Sequence, residues 1–390
     1  MANKYANKFL DAEGVKYLWD KAQGIYIKQE PGKTLSDENY TTVEKQKLAG
    51  LTSYELPAAS EETLGGIKIG TGLAIDENGI VSATGEAEAE VEVLTFSDLD
   101  YITKSPSTAA ALAATITEGG EINLSGNVAL LEGLVVTHDT ILNLGGHTLT
   151  ADFNDFVFTA HGARLTILNG TINSSYRIAQ AIHGGTIVVA GGLYQAGDLT
   201  FASVGPESVV QIDSGSIISD KECIYVFEGG SLAVNGGAMQ AKDGCVIRTN
   251  KSNNREYSTV TISGGRVIGQ ATTQGKASCG VLIANDDRFV MNSGEIISEN
   301  GCGLLLRAGQ AEISGGFITA RGSGVRSVDA IDVSHSAVIY QQTAGYPNND
   351  NMSLIISNGV FEGSDRSIEI LSNEALPQVD ITGGVFNPSY

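Results

Sequence analysis

The chain reads as an all-β protein: a single-stranded parallel β-helix of about 11–12 coils, carried by a small α-helical N-terminal anchor and a short β shaft. Three observations predict this. From about Glu121 onward a frame recurs, made of apolar–x–apolar, a small polar residue, Gly and a further apolar residue. Examples are Leu165-Thr166-Ile167-Leu168-Asn169-Gly170-Thr171-Ile172 and Val260-Thr261-Ile262-Ser263-Gly264-Gly265-Arg266-Val267. The frame returns every 20 to 29 residues with strand-period signals and no helical period. Finally, 48 Gly stand beside 7 Pro in a chain that is 42% hydrophobic but only 6% aromatic, which suits a turn-rich solenoid with a narrow aliphatic core.

Anchored on the second apolar residue, the repeat gives the column Leu144, Ile167, Val189, Ile212, Val234, Ile262, Met291, Ile313, Val333, Ile356 and Ile381. Two residues earlier stand apolar residues from Leu142 and Leu165 to Leu354 and Val379. Five residues later stand Leu149, Ile172, Tyr194, Ile217, Met239, Val267, Ile296, Ile318, Val338, Phe361 and Phe386. None of these columns holds a charge, although 18% of the chain is charged. Residues two apart on a strand share a face, so the columns are inward ladders stacked about 4.8 Å apart. The polar residue after the anchor (Asp213, Asn235, Ser263, Asn292, Ser314, Ser334, Ser357, Thr382) sits at a turn and suits a ladder of side-chain hydrogen bonds.

The domain reading is 1–56 helical anchor, 57–92 β shaft and acidic linker, 93–118 capping helix and 119–390 β-helix. In the first segment Asp11 caps a helix whose Val15, Leu18, Trp19 and Ala22 share one face, with Phe9 and Leu10 just before it. A lone short helix cannot bury such a face by itself, so these residues form an anchor to a larger assembly. A second helix signal runs from Ser36 through Tyr40, Val43 and Leu48 to Gly50. Beyond it, Leu64-Gly65-Gly66-Ile67-Lys68-Ile69-Gly70-Thr71-Gly72-Leu73 leads to Asp76-Glu77-Asn78-Gly79-Ile80-Val81-Ser82. Here two short apolar strands flank an Asn78-Gly79 turn.

These two pieces, over about residues 7–84, resemble modules of tail and head fibres of tailed bacteriophages. The resemblance implies a homotrimer whose three chains share a core in the shaft, with the N-terminus seated on a capsid or tail protein at the virion surface. Glu86, Glu88, Glu90 and Glu92 then alternate with small apolar residues as a solvated linker. Ser105-Pro106 begins a helix, with Ser105 as its cap and Pro106 in the first turn, that Ala109 to Ile116 continues and Gly119-Gly120 stops; it plugs the first coil. The passages Gly119–Val128 and Thr140–Leu149 resemble the first coils of pectate-lyase-like β-helices, a likeness that specifies fold rather than activity.

Net charge is −21, which disfavours nucleic acid, anionic membranes and sulfated glycans as partners. The start lacks the apolar stretch of a secretory signal, and no apolar run is long enough to span a membrane. Cys223, Cys245, Cys279 and Cys302 fall at similar offsets in four consecutive repeats and read as a buried thiol ladder, with a disulfide or metal string as the alternative. The histidines at 138, 147, 161, 183 and 335 show no metal spacing, and no cofactor is expected.

Hydrolysis of a glycan would need two carboxylates in a groove. Among the acids, Asp213, Glu222 and Glu228 lie in neighbouring coils, as do Asp286, Asp287 and Glu295. Glu312, Asp332 and Asp380 share an outward column, with Glu312 and Asp332 as the nearest pair. No catalytic residue is assigned, because an acidic β surface produces such neighbours by accident. Recognition is expected instead in the insertions near 249–258, 270–278 and 341–352, where Asn250, Asn253, Arg255, Tyr257, Tyr346, Asn348 and Asn349 suit sugar contacts. The expected function is non-enzymatic attachment to a host-cell or mucosal glycan. A depolymerase spike and a bacterial surface adhesin are the alternatives.

Overall fold

Apolar residues meet apolar residues one coil away throughout the body of the chain, and hydrogen-bonded parallel strands hold them there. The computed structural model describes residues 104–249, 256–324, 326–328, 331–343, 349–373 and 377–388, together with two short strands near residue 78. Two compact units divide the chain, Met1–Val93 and Leu94–Tyr390. In the first, Leu73–Ile75 pairs antiparallel with Val81–Ala83, as the Asn78-Gly79 signal predicts. The anchor residues Phe9, Leu10, Val15, Leu18 and Trp19 lie outside the described residues.

The second unit is a parallel β-helix with three strands per coil. Its first inward ladder runs Ile122, Leu142, Ile167, Val189, Ile212, Val234, Ile262, Met291, Ile313, Ile356 and Ile381, which defines coils 1 to 11. The second runs from Val128 and Leu149 through Tyr194 and Met239 to Phe361 and Phe386. These two strand columns join into one 20-stranded sheet, because Thr186–Ala196 and Val209–Ser219 run unbroken through the bend between them. A ten-stranded sheet forms the third wall, with Leu134, Phe158, Ala179, Phe201, Ile224, Ile247, Val281, Leu304, Val338 and Ile368 turned inward. Burial of these ladders is nearly complete until the last coil, where Ile381 and Phe386 are exposed. Phe386 there stacks on Phe361, with centroids 5.1 Å apart.

Two register expectations change. Leu142, not Leu144, opposes Ile167; Leu144 is buried in the turn that follows. Val333 is not a rung anchor, because Ile313 stacks directly on Ile356 and Val338 belongs to the third wall. The residues between Ile318 and Ser336 are an insertion in coil 9. An apolar–x–apolar frame inside an insertion imitates a rung locally, and only pairing distinguishes the two.

The polar ladder exists in stretches. Asn235 Nδ2 donates to Asp213 Oδ1 at 2.8 Å, and Ser263, Asn292 and Ser314 are linked in series at 3.2 Å each. It also extends back to Asn123 and Asn143, linked at 2.8 Å. Ser334 lies outside it, bonded to Ser336 and Glu369.

A helix, α1, spans Ala109–Glu118 and turns Leu112 and Ile116 into the core above the first coil. Its cap is Thr108, whose Oγ1 accepts from Ala111 N at 3.2 Å, rather than Ser105. The reason is pairing upstream. Lys104 bridges Ile122, and the Pro106 carbonyl accepts from Ser125 N at 3.1 Å, so 104–106 is held extended against coil 1.

One buried carboxyl gives a pH-dependent expectation. Asp287 is 1% exposed; its Oδ1 accepts from Ser258 N at 2.8 Å, while its Oδ2 is buried without a partner among the described residues. Burial pushes its pKa from 3.8 up to about 6, against the opposing hydrogen bonds from Thr249, Ser258 and Asn285. A carboxyl with a raised folded pKa binds its proton more tightly when folded. The contribution of Asp287 to stability is therefore most favourable in acid and falls as pH rises from 3.8 to about 6. Asp287→Asn keeps an oxygen for Ser258 and removes the charge. It should raise stability by ~3 kcal/mol at neutral pH and by far less near pH 4. Denaturant titrations at both pH values check this, and equal gains at the two would refute it.

Candidate ligand-binding face

The third wall presents two different outer surfaces. Its central outward column runs Val135, Thr159, Gln180, Ala202, Tyr225, Arg248, Leu282, Leu305 and Ile339. Over coils 2 to 6 the column and its flanks carry rings, guanidinium groups and amides. Over coils 7 to 9 it is aliphatic and roofed.

The roof is the coil 9 insertion. Arg326–Val328 and Ile331–Val333 pair antiparallel and lay Val328 and Val333 on Leu282, Leu305 and Ile339. The insertion near 270–278 supports it, because Ala277 N donates to the Ser327 carbonyl at 3.0 Å. Thr273 N bonds Asp243 Oδ1 at 2.9 Å, so this second insertion is tied to the scaffold. One of the segments expected to recognise a ligand, 270–278, thus buttresses a roof that covers apolar surface, which is the stronger thermodynamic demand.

The unroofed half is built on alternation. In Ile224-Tyr225-Val226-Phe227, Ile224 and Val226 point to the core, so Tyr225 and Phe227 point out. Their rings lie 5.0 Å apart. The Arg248 guanidinium stands 5.3 Å from the Tyr225 ring and 3.2 Å from Glu222 Oε1. Two coils earlier Arg177 covers the Tyr176 ring at 4.4 Å and the Phe156 ring at 5.3 Å. Its Nε bonds Asp198 at 2.9 Å, and Lys221 reaches the same carboxylate at 2.7 Å. Burial works against charge on Asp198, but Lys221 and Arg177 together hold its carboxyl below the ordinary value. Gln180 Nε2 donates to Thr159 Oγ1 at 3.1 Å, and the His161 and His183 rings lie 4.4 Å apart at the edge.

Flat apolar ring faces bordered by fixed amide, guanidinium and carboxylate groups can stack on a sugar ring and bond its hydroxyls. Each of the three cations has a carboxylate beside it, so the face suits a neutral ligand rather than a polyanion.

Of the residues expected to bind, Tyr257 is 56% exposed. Asn250, Asn253, Arg255, Tyr346 and Asn348 lie outside the described residues. In sequence the first three follow strand Gly244–Thr249, which carries Arg248. Asn349 is buried and closes its own loop, donating to the Thr343 carbonyl at 2.9 Å and accepting from Gln342 at 3.3 Å. Tyr225, Phe227, Arg248, Tyr176, Arg177 and Gln180 were not singled out by sequence. The signal was the ring at alternate positions of the third strand, which the two-strand repeat frame omits.

The candidate neighbours Glu312 and Asp332 do not share a column. Glu312 shares its outward column with Ile355 and Asp380, and it accepts both its bonds from Arg288 Nη2, at 3.0 and 3.1 Å. Asp332 is in the roof hairpin. Asp213 bonds Gln211 and Asn235, Glu222 pairs with Arg248, and Glu295 with Arg266. Among the described residues no group of three or more His, Cys, Asp or Glu is placed to hold a metal ion. No helix among them is long and apolar enough to cross a membrane.

The four cysteines are not one ladder. Cys245, Cys279 and Cys302 stack on the outer side of the third wall beneath the roof, whereas Cys223 is one position out of register and packs in the main core. An equal offset from an anchor does not preserve the face when a turn between strands gains a residue. Compared with family models, curated proteins and solved structures, this chain has no match.

Proposed function

We propose that this chain is a fibre or spike of a bacteriophage virion that attaches to a neutral glycan on a cell or mucosal surface. The N-terminal residues seat it on a capsid or tail protein, three copies assemble through the shaft, and the β-helix points outward. The observation that carries the binding half is the ring-bearing outer face of coils 2 to 6, on which Tyr225, Phe227, Arg248, Tyr176 and Arg177 sit on a stiff parallel sheet. Rigid positioning lowers the ordering cost of binding. The fibre-like motifs of residues 7–84 support the anchoring half.

The test is a glycan array probed with the full chain, followed by titration of the best ligand. Tyr225→Ala should weaken binding about tenfold, equivalent to ~1.4 kcal/mol, with the melting midpoint nearly unchanged. Unaltered affinity would remove this face from the mechanism. Release of reducing ends or unsaturated sugars during incubation would overturn passive attachment in favour of a depolymerase. Mass in solution tests the trimer, which should weaken when residues 1–84 are removed.

A further inference from the structure

We propose that Cys279 and Cys302 are a disulfide-forming pair on the outside of the solenoid, closed by oxidation of the folded chain, with Cys245 as the alternate partner of Cys279. This stands independently of the attachment reading. The three residues occupy one outward column, Cys245 opposite Cys279 and Cys279 opposite Cys302 in the parallel register. Neighbouring parallel strands lie about 4.8 Å apart, inside the Cα separation of about 4.4–6.8 Å that a disulfide needs. The Sγ atoms of Cys279 and Cys302 are already 2.7 Å apart, so closure needs a movement of less than about 1 Å. None of the four cysteines is in a disulfide, and Cys223, turned into the main core, has no place in the column.

The thiols are fully buried, so the roof controls access. That roof is a hairpin of three residue pairs, Arg326 with Val333, Ser327 with Asp332 and Val328 with Ile331. So short a hairpin opens locally at far lower cost than the coils beneath it.

The chemistry balances with a small-molecule disulfide such as oxidised glutathione as the oxidant. One cysteine thiolate attacks a glutathione sulfur, the glutathione S–S bond breaks, and the first glutathione leaves as a thiolate that takes up the cysteine's proton. The neighbouring cysteine thiolate then attacks the mixed disulfide and displaces the second glutathione. Two cysteine thiols lose two electrons and two protons, and two glutathione thiols form.

The experiment uses the full chain, purified reduced, exposed to oxidised glutathione, alkylated and digested with trypsin. Each cysteine falls in its own peptide: Cys223 in 222–242, Cys245 in 243–248, Cys279 in 277–288 and Cys302 in 289–307. The expected product joins 277–288 to 289–307 with the loss of two hydrogens. Cys302→Ser should divert the link to 243–248 with 277–288. Val328→Ala combined with Val333→Ala should speed linkage several-fold without changing the pairing. Singly alkylated thiols in both the parent and the roof variant would overturn the proposal. So would a lasting glutathione adduct without closure, or a link to the Cys223 peptide.

Discussion

A Gly309→Ala chain should lose about 4 kcal/mol of stability, from a left-handed backbone position combined with a collision between main chains. Gly309 has φ +74° in the turn between strands Gly301–Leu306 and Gln310–Ile313. A Cβ there would lie 2.6 Å from the Asn285 carbonyl oxygen and 2.6 Å from Asp287 N, and closer still to the Asp287 carbonyl oxygen. These are backbone atoms of the coil below, so no rotamer change relieves the contact. The coils must separate where Gln310 N donates to the Asp287 carbonyl at 2.8 Å. Denaturant unfolding measures the loss, and hydrogen exchange should show it concentrated around coils 7 to 9, because a solenoid coil is stabilised by its immediate neighbours. A change below about 1 kcal/mol would show that the turn relaxes freely.

Phe289→Ala should cost about 3–5 kcal/mol. Phe289 is fully buried in the first wall, opposite Val260 on one side and Ala311 on the other. The small Ala311 leaves room for the ring, and neither neighbour can extend into the space its removal creates. The cost therefore contains both lost transfer energy and an unfilled cavity. Phe289→Leu, which keeps most of the volume, should recover most of the loss, and an equal loss for both variants would refute the cavity account.

How much could be read without coordinates depends on which neighbours a residue has. The inward ladders were legible because every coil must place apolar residues over apolar residues, and this demand repeats along the chain. Ile167, Val189, Ile212 and Val234 therefore aligned correctly. The errors fell where a coil departs from the average. Val333 carries the local frame but belongs to an insertion, and Glu312 lost its supposed neighbour Asp332 for the same reason. Tyr225 and Arg248 went unread because the third strand sits at a variable distance from the anchor.

The amino-acid order alone determined the strand character, the stacking period and the two inward ladders of the repeat frame, since burial of a regular apolar pattern has few solutions. Only the tertiary structure decided what lies outside those ladders. It set the coil 9 insertion as a roof over Leu282, Leu305 and the three outer thiols, and left Tyr225 and Arg177 on the unroofed half of the same wall. The physical reason is range. An inward residue meets the same column one coil away, whereas an outward residue's surroundings depend on where a distant insertion folds back.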